Sequence, residues 1–371
     1  MKALDNISHN YVNRYSEAIK WKESGGKVVG YISAAIPEEI IMAAGLFPLR
    51  LAGDIERETV MADQFMEFNF DPLVRSLYDM LLAGEFDFLD LLVIPHVSDS
   101  VFRLYYYLME NKRQGMYPNL PDLYLLDILY TKWCGIGQYN YKRIKDFKKK
   151  MEMISEKPVT GDDLNEAIAT TNENRKLLQE INQKRLHDPP LLLGTDAVQL
   201  YSTAMCMKKS DHNGILKDIF EEESMFNPKS PTRLMFLGNP LDNISLYQII
   251  ESADVTIILE DHDWGSKYAE HLVDEKADPL AALSERYHLH TISPKAYPDP
   301  VDQSEVIKEA IELKVDGVIF FSQSHEASAW DYPKRVRVLE DKGIKTTVIN
   351  YYKGILKDSK NIIENVQQLV S

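Results

Sequence analysis

The feature that most constrains the fold is a series of short, almost continuously apolar runs separated by helical patterns. The clearest run is Leu89–Pro95 (LDLLVIP), which ends at a proline. A strand inside a parallel sheet is covered by helices on both faces, and its sequence therefore has this continuous apolar character. Similar runs predict strands at Val28–Ser33, Leu49–Leu51, Leu123–Leu126, Arg233–Leu237, Val255–Leu259, Gly317–Phe321 and Thr346–Ile349.

Helical patterns lie between these runs, and an alternation of strands and helices predicts right-handed crossovers and parallel sheets. The alternation occurs on both sides of a helical stretch, which opens with a capping-box pattern at Thr160 and Asp163 and is broken at 188–190 (DPP). We therefore predict an α/β protein with two parallel-sheet domains joined by a helical segment and preceded by an N-terminal helix. The predicted bounds are residues 1–150, 151–230 and 231–371.

Composition excludes several classes of function. The formal net charge is −15 and the pI is about 5.1, which argues against a nucleic-acid partner because phosphates need clustered Lys and Arg. No apolar run reaches the ~18 residues of a membrane span, and the first residues lack the apolar stretch of an export signal. We expect a cytoplasmic protein with no membrane contact. The sequence also lacks GxGxxG, GxxxxGK[ST], GxSxG and HExxH, which excludes the common nucleotide-binding, hydrolase and zincin motifs.

Polar residues follow the predicted strands at the edge where ligands bind to open parallel sheets. His96, Ser98 and Asp99 follow one strand, and Asn239 follows another. Further strand ends are followed by Asp261, His262, Asp263 and, last, His325. Loop residues are often polar for local reasons, because they cap helices and form turns. Each residue is therefore a candidate with a structural alternative.

Several segments, in order, resemble one family, the 2-hydroxyacyl-CoA dehydratases and benzoyl-CoA reductases, which includes the 2-hydroxyglutaryl-CoA dehydratase D-component. The resemblance covers nearly the whole chain, and the order and spacing of the segments make it specific. The similar segments are GKVVGYISAAIPEEIIMAAGLFPLRLAGD (26–54), DPLVRS (71–76), SDS (98–100), LNEAIATTNENRKLL (164–178), FLGNPL (236–241), HEASAWDYP (325–333) and KGIKTTVI (342–349).

The resemblance implies two Rossmann-like domains and a heterodimer of related subunits in anaerobic acyl-CoA metabolism. In such enzymes three cysteines hold a [4Fe–4S] cluster, and an ATP-dependent activator supplies an electron for dehydration, a lyase reaction, or for ring reduction. Here the three cysteine positions are Asp71, Ser98 and His325, while Cys134 and Cys206 lie outside the motifs. We therefore expect no conventional cluster in this chain and a [4Fe–4S] cluster in a cysteine-containing partner subunit.

Three interpretations stay open. In the first, the chain is an atypical enzyme subunit that helps to bind acyl-CoA and to assemble the heterodimer. In the second, the cleft holds one Zn or Fe through two histidines and one carboxylate, taken as His325, His262 and Asp71, with His96, Asp261 and Asp263 as alternatives. In the third, the protein binds a ligand or acts as a scaffold without catalysis.

Under the first interpretation, Ser98, Asp99 and His325 are the candidate catalytic residues, and Arg75, Arg103 and Asn239 are the candidate substrate contacts. Each has a structural alternative. Asp71 and Ser98 are well placed to cap helices, and Arg75 and Arg103 to pair with nearby Asp residues.

Overall fold

The computed structural model describes residues 1–222, 224, 226–290, 303–323, 330, 332–351 and 354–371, without the side chains of 134, 303–306, 351 and 355. The strands in these residues lie close to the predicted runs. They are β1 (Val28–Tyr31), β2 (Phe47–Arg50), β3 (Leu91–Pro95), β4 (Asp122–Leu126), β5 (Arg233–Gly238), β6 (Thr256–Glu260), β7 (Gly317–Gln323) and β8 (Lys345–Tyr351).

Helices connect the strands and form the middle of the chain. In chain order they are α1 (Lys2–Val12), α2 (Ser16–Glu23), α3 (Glu38–Ala43), α4 (Pro72–Leu82), α5 (Asp99–Gln114), α6 (Cys134–Ser155), α7 (Gly161–Leu186), α8 (Gly194–Ala204), α9 (Lys209–Glu221), α10 (Ile244–Glu251), α11 (Pro279–Leu289), α12 (Gln303–Glu312), α13 (Tyr332–Glu340) and α14 (Ser359–Val370).

The described strands form two four-stranded parallel sheets with the same topology. The first has the order β2-β1-β3-β4 and the second the order β6-β5-β7-β8. In both, the first strand of the half lies inside the sheet, the second strand is at the edge, and the third lies on the other side of the first. This arrangement confirms the predicted fold class of two Rossmann-like parallel-sheet domains with an N-terminal helix. The predicted domain bounds stay a prediction.

The edge strand β2 begins two residues before its predicted start at Leu49. It contains Pro48, which has no N–H to donate to a neighbouring strand and is therefore usually confined to sheet edges. The sheet order makes β2 an edge strand, so the proline is tolerated there. The strand consequently extends through a residue that would be unfavourable in the middle of the sheet.

Helix starts follow from local capping. Thr160 accepts a hydrogen bond from Asp163 N while the Asp163 carboxylate accepts one from Thr160 N, which completes the predicted capping box at the start of α7. The helices α4 and α11 each begin with an Asp whose side chain accepts from the first turn, followed by a proline at N1. These caps fix where the strand-to-helix turns leave the sheets.

The helical middle of the chain packs between the two halves. Leu178 and Leu200, from α7 and α8, share one buried cluster with Ile7 of α1 and with Trp264, which follows β6. The N-terminal helix is therefore part of the packing between the domains. Among the described helices, none is long and apolar enough to cross a membrane.

One segment of the second half packs into the core of the first. Val273, Leu283 and Tyr287, before and within α11, belong to the same buried cluster as Val29 of β1 and Leu92 of β3. Tyr287 O–H donates to the Glu39 carboxylate of α3 at 2.9 Å. The first core is thus completed by residues far along the chain.

Candidate functional site

Each sheet has a point where the chain reverses its direction of strand addition, and ligands bind to open α/β sheets at such points. In the first sheet this point lies between β1 and β3, and Ser33 and Val97 follow these strands. In the second sheet it lies between β5 and β7, where Asn239 Oδ1 accepts a hydrogen bond from Gln323 N at 2.8 Å. The topology alone therefore directs attention to these two strand edges.

A cavity of about 70 Å³ lies where the first reversal point faces the second half, and we call it the inner cavity. Ile32, Ser33 and Val97 line it from the first sheet. Asp263 and Trp264, which follow β6, line it from the second half. The remaining walls come from Arg50 and Leu51, from Gly53, from Asp71, Leu73, Val74 and Leu77, from Val101, and from Pro240 and Asp242.

Arg50 and Asp263 join the two halves beside this cavity. Arg50 Nη2 lies 3.0 Å from Asp263 Oδ1, and Arg50 Nη1 donates to the Asp263 carbonyl at 2.5 Å. The Asp263 carboxylate also accepts from Ser33 Oγ at 2.8 Å and from Ala34 N at 3.2 Å. Both side chains are 2% exposed, so the pair is fully desolvated. The cavity wall is therefore held by a charge pair that spans the domains.

Trp264 covers the guanidinium of this pair. The Arg50 Cζ atom lies 3.5 Å from the Trp264 ring centroid, a distance at which a cation is attracted to the face of the ring. Arg50 N donates to the Met205 carbonyl at the end of α8. The tryptophan, the arginine and the end of the helical middle segment consequently form one packed unit.

The end of β6 and the residues that follow it, from Glu260 to Asp263, form a continuous run of buried ionisable side chains, each residue 0–1% exposed. The Glu260 carboxylate pairs with Arg185 of α7 at 2.5 Å and accepts from Ser266 N at 2.8 Å. Burial opposes ionisation of Glu260, but the Arg185 charge outweighs it and lowers the pKa of this carboxyl. This run depends on partners from distant parts of the chain.

Asp261 and His262 have polar atoms without hydrogen-bond partners among the described residues. Asp261 Oδ1 accepts from Gly238 N at 2.9 Å, whereas Asp261 Oδ2 has no partner there, and burial raises the pKa of this carboxyl to about 6. His262 Nε2 lies 3.0 Å from Tyr247 Oη, and His262 Nδ1 has no partner. Burial lowers the pKa of His262, which favours the neutral ring. The run after β6 therefore holds buried polar atoms that a bound ligand or water would satisfy.

Asp71 and Ser98, two of the positions that the family resemblance assigns to cluster ligands, cap helices. Asp71 Oδ1 accepts from Leu73 N at 2.9 Å and from Val74 N at 3.3 Å at the start of α4. Ser98 Oγ accepts from Val101 N at 3.2 Å at the start of α5. Asp71 also lines the inner cavity, whereas Ser98 is only the chain neighbour of Val97, which lines it.

The candidate substrate contacts are less closely grouped. Asp99 and Arg103 form an exposed pair at 2.9 Å within α5. Arg75 is buried, pairs with Asp63 and donates to the Met66 and Glu67 carbonyls. Asn239 is 1% exposed, and its Nδ2 has no partner among the described residues. Of the three contacts, Asn239 is the one with a buried donor that has no partner among the described residues.

His325, the third assigned position, lies outside the described residues. The described His, Cys, Asp and Glu side chains form no group of three or more that would hold a metal ion. Of the other proposed ligands, His262 is hydrogen-bonded to Tyr247 and Asp71 caps a helix. A metal site built on His325 stays a prediction.

His96, another candidate ligand, is paired within its own sheet edge. His96 Nδ1 lies 2.7 Å from Asp127 Oδ1, and Tyr139 O–H donates to Asp127 Oδ2 at 2.6 Å. Partial burial opposes ionisation of Asp127, but the hydrogen bonds from Tyr139 and His96 lower its pKa. The His96 ring stacks on Phe102 at 4.1 Å. This pair connects the ends of β3 and β4.

The donor set in the described part of the cleft does not fit an iron–sulfur cluster, because clusters are held chiefly by cysteine thiolates. Asp71 and Ser98 provide oxygen atoms that cap helices. Cys206 is buried, its thiol donates to the Arg50 carbonyl at 3.7 Å, and burial raises the pKa of this thiol to about 12. A thiol in that environment stays protonated and is a poor iron ligand.

A second, larger cavity of about 420 Å³ adjoins the first, and we call it the outer cavity. It lies beside the turn between α1 and α2, with Asn13, Arg14 and Tyr15 in its wall. Gly53 and Asp242 line both cavities. The Arg14 guanidinium is already paired with Asp242. The outer cavity consequently has a mixed apolar and polar lining, without a free cation among these lining residues.

The sequence predictions missed Ser33 and Arg50 as site residues. Ser33 directly follows the first reversal point, a position that the strand-end rule covers, and it was hidden because the predicted strand extended to it. Arg50 lies at the end of β2, and nothing in the local pattern reveals that its partner is 213 residues away. Asp263 was a candidate ligand, and the structure gives it a role between the domains.

Comparison with known proteins gives a consistent result. The family model described as 2-hydroxyglutaryl-CoA dehydratase, D-component, matches residues 33–355. One of the benzoyl-CoA reductase subunits of Thauera aromatica is 26% identical over 324 residues, which cover 84% of this chain and 82% of that protein. The (R)-phenyllactyl-CoA dehydratase beta subunit of Clostridium sporogenes is 23% identical over 334 residues, with 88% and 87% covered. The beta subunit of the lactoyl-CoA dehydratase of Anaerotignum propionicum is 19% identical over 335 residues, with 88% and 87% covered.

Proposed function

The chain belongs to the 2-hydroxyglutaryl-CoA dehydratase, D-component family, and from that premise we propose that it is a subunit of a heteromeric acyl-CoA dehydratase or reductase that does not itself hold the [4Fe–4S] cluster. It would help to bind the acyl-CoA and to assemble the heterodimer. A related, cysteine-containing subunit would hold the cluster, and an ATP-dependent activator would act on that partner. The cytoplasmic location predicted from the sequence belongs to this proposal.

The observation that carries the proposal is the interdomain cleft. It has a cavity at a sheet reversal point, where this architecture binds ligands. At two of the three positions that the resemblance assigns to cluster ligands, however, the side-chain oxygen accepts hydrogen bonds in a helix cap. A cleft of this kind is suited to substrate contact and unsuited to thiolate ligation. The names of the relatives, which are subunits of acyl-CoA dehydratases and of benzoyl-CoA reductase, support an acyl-CoA as the ligand.

Within this cleft the first sheet would supply Ser98 and Asp99, and the second half would supply Asn239 and His325. Asn239 Nδ2 is a buried donor without a partner among the described residues, so it would stabilise a carbonyl oxygen of the ligand. Arg103 is 55% exposed and bound only within its own helix in the described contacts, so it would exchange Asp99 for a phosphate at small cost. Arg75 would act from beneath the surface by holding the segment before α4.

Co-purification with a cysteine-complete family subunit tests the proposal. We expect a stable heterodimer by light scattering, with cluster iron that is lost when the partner's cysteines are replaced and kept when Asp71 is changed to Ala. We also expect binding of an acyl-CoA by calorimetry. A chain that stays monomeric beside the partner and binds no acyl-CoA would overturn the proposal.

Metal analysis of the isolated chain tests the other two interpretations. One stoichiometric Zn or Fe that is lost in His325→Ala would favour the mononuclear metal site. A chain without metal, without acyl-CoA binding and without effect on the partner's turnover would favour a scaffold.

A further inference from the structure

The inner cavity has a size and a lining that restrict what can enter it. We propose that it binds the head group of a short aliphatic acyl thioester and excludes an aromatic acyl group, with Trp264 as the residue that sets this limit. The inference rests on the proposed function, since it assumes that the chain binds an acyl-CoA. It goes beyond that function by naming the class of acyl group.

Volume is the first argument. The inner cavity measures about 70 Å³. An apolar cavity of ~150 Å³ in another protein takes up a benzene ring, so a space of less than half that size does not hold a phenyl group without movement of its walls. The inner cavity can hold two or three methylene groups together with one carbonyl or hydroxyl oxygen.

The walls of the cavity are fixed by contacts outside it. Trp264 is 5% exposed and lies on the Arg50 guanidinium, which in turn is held by Asp263 and by Met205. A swing of the indole away from the cavity would uncover a buried cation, which is unfavourable. Another part of the wall is formed by Val74 and Leu77, which are buried residues of α4. Expansion would therefore require repacking of a helix or loss of the stacking.

The lining also matches a short acyl head chemically. Its sides are apolar, from residues such as Ile32, Leu51 and Val101. Its polar groups are Ser33, Asp71, Asp242 and the Arg50–Asp263 pair. Arg50 Nε is a buried donor without a hydrogen-bond partner among the described residues. A ligand with a small apolar body and one carbonyl or hydroxyl oxygen would satisfy both kinds of surface.

The adjoining outer cavity provides room for the rest of such a ligand. It is about six times larger and shares Gly53 and Asp242 with the inner cavity. Its lining includes amide and hydroxyl groups at Asn13, Tyr15 and Ser16, and the cationic side chain of Arg14 there is paired with Asp242. A neutral arm that carries amide groups fits this lining better than an anionic group does.

The test compares propionyl-CoA with benzoyl-CoA in calorimetric titrations of the full chain, alone and in complex with its partner, with free CoA as the reference. We expect propionyl-CoA to bind at least ~10-fold more tightly, a discrimination within the range of apolar pockets. Equal or tighter binding of benzoyl-CoA would overturn the inference and leave the proposed function intact. If neither ester binds more tightly than free CoA, the proposed function fails, and the inference fails with it.

Variants test whether Trp264 determines the preference for propionyl-CoA over benzoyl-CoA. Trp264→Ala should improve benzoyl-CoA binding and reduce the preference to less than ~3-fold, since the indole no longer limits the volume. Leu77→Ala enlarges the cavity at a lining residue of α4, so it repeats the test if Trp264→Ala does not fold. Trp133→Ala, at a tryptophan that is 77% exposed, is the matched control and should leave the preference unchanged. An unchanged preference in both cavity variants would overturn the role of the cavity.

Discussion

The two sheets share one strand order, yet the polar residues at their carboxyl edges are stabilised in different ways. In the first sheet, Asp71 and Ser98 cap the helices that they precede, and His96 pairs with Asp127 from the neighbouring strand end. In the second sheet, Glu260 and Asp263 are buried and form ion pairs with arginines from other parts of the chain. The first edge is organised by local contacts, and the second depends on contacts between the halves.

This difference separates two kinds of polar residue that look alike in sequence. A residue engaged in a cap is replaceable by any side chain that accepts the same hydrogen bond. A buried carboxylate whose partner comes from another domain is not, because its loss leaves a cation without a counter-charge. The buried carboxylates of the second edge therefore help to fix the relative position of the two halves, whereas the caps at Asp71 and Ser98 stabilise only their own turns.

The largest expected effect is that of Glu260→Ala. It leaves Arg185 buried without its carboxylate, and removal of one partner of a buried pair costs ~3–5 kcal/mol in free energy of unfolding. Urea unfolding followed by circular dichroism measures the loss. Glu364→Ala, at an exposed pair with Lys360, is the matched control and should cost less than about 0.5 kcal/mol. A loss below about 1 kcal/mol for Glu260→Ala would remove the contrast between the edges.

The next effect is a pH dependence that Asp261 introduces. Burial raises the pKa of this carboxyl from 3.8 to about 6. Between these values the unfolded chain has released the proton and the folded chain has kept it, so the free energy of unfolding falls as the pH rises, by up to ~1.4 kcal/mol per unit.

Asp261→Asn removes the ionisable group and with it this pH dependence. The free energy of unfolding of the variant, relative to that of the natural protein, should therefore rise from pH 4 to pH 6 and then stay level. Urea midpoints over that range measure the difference. Asp99→Asn, at an exposed side chain of the other edge, should give a curve parallel to that of the natural protein. Parallel curves for both variants would show that Asp261 is not buried as described.

A smaller effect is expected at the first edge. Asp71→Ala removes the cap of α4 and should cost ~1 kcal/mol, whereas Asp71→Asn keeps an acceptor oxygen and should cost only a few tenths. Ser98→Ala should behave like Asp71→Ala. The same urea measurement applies, and an equally large loss in Asp71→Asn would indicate that the charge of Asp71 matters beyond the cap.

The smallest effect is that of the exposed pair between Asp99 and Arg103. A double-mutant cycle with Ala at both positions should give a coupling of ~0.3–0.5 kcal/mol that declines with added salt. A coupling above about 1.5 kcal/mol would show that this exposed pair behaves like the buried ion pairs of the second edge.

Much of the fold was predictable from sequence because its elements are determined locally. All of the described strands lie at predicted apolar runs, and the capping box at Thr160 marks the start of α7. Two further helices, α11 and α14, also have recognisable signals in the sequence. Asp278 and Pro279 repeat the pattern that marks α4, and Ile362, Val366 and Leu369 have helical spacing. The family expectation is confirmed as well.

The candidate site was predictable only in outline. The strand-end rule identified the residues after β6, because a parallel sheet places its ligands there. It did not identify Arg50, since pairing between residues of different domains leaves no periodic pattern in a sequence. It also could not distinguish Ser98, which caps a helix, from Asp263, which joins the two halves.

The packing of α11 against the first sheet has a consequence for dissecting this protein. A fragment that ends before Val273 would lack Leu283 and Tyr287, which complete the core around β1 and β3. Such a fragment would expose apolar surface and aggregate, even though it contains every strand of its sheet. The two halves are therefore better separated by a protease cut in a loop, with both pieces retained, than by expression of one half alone.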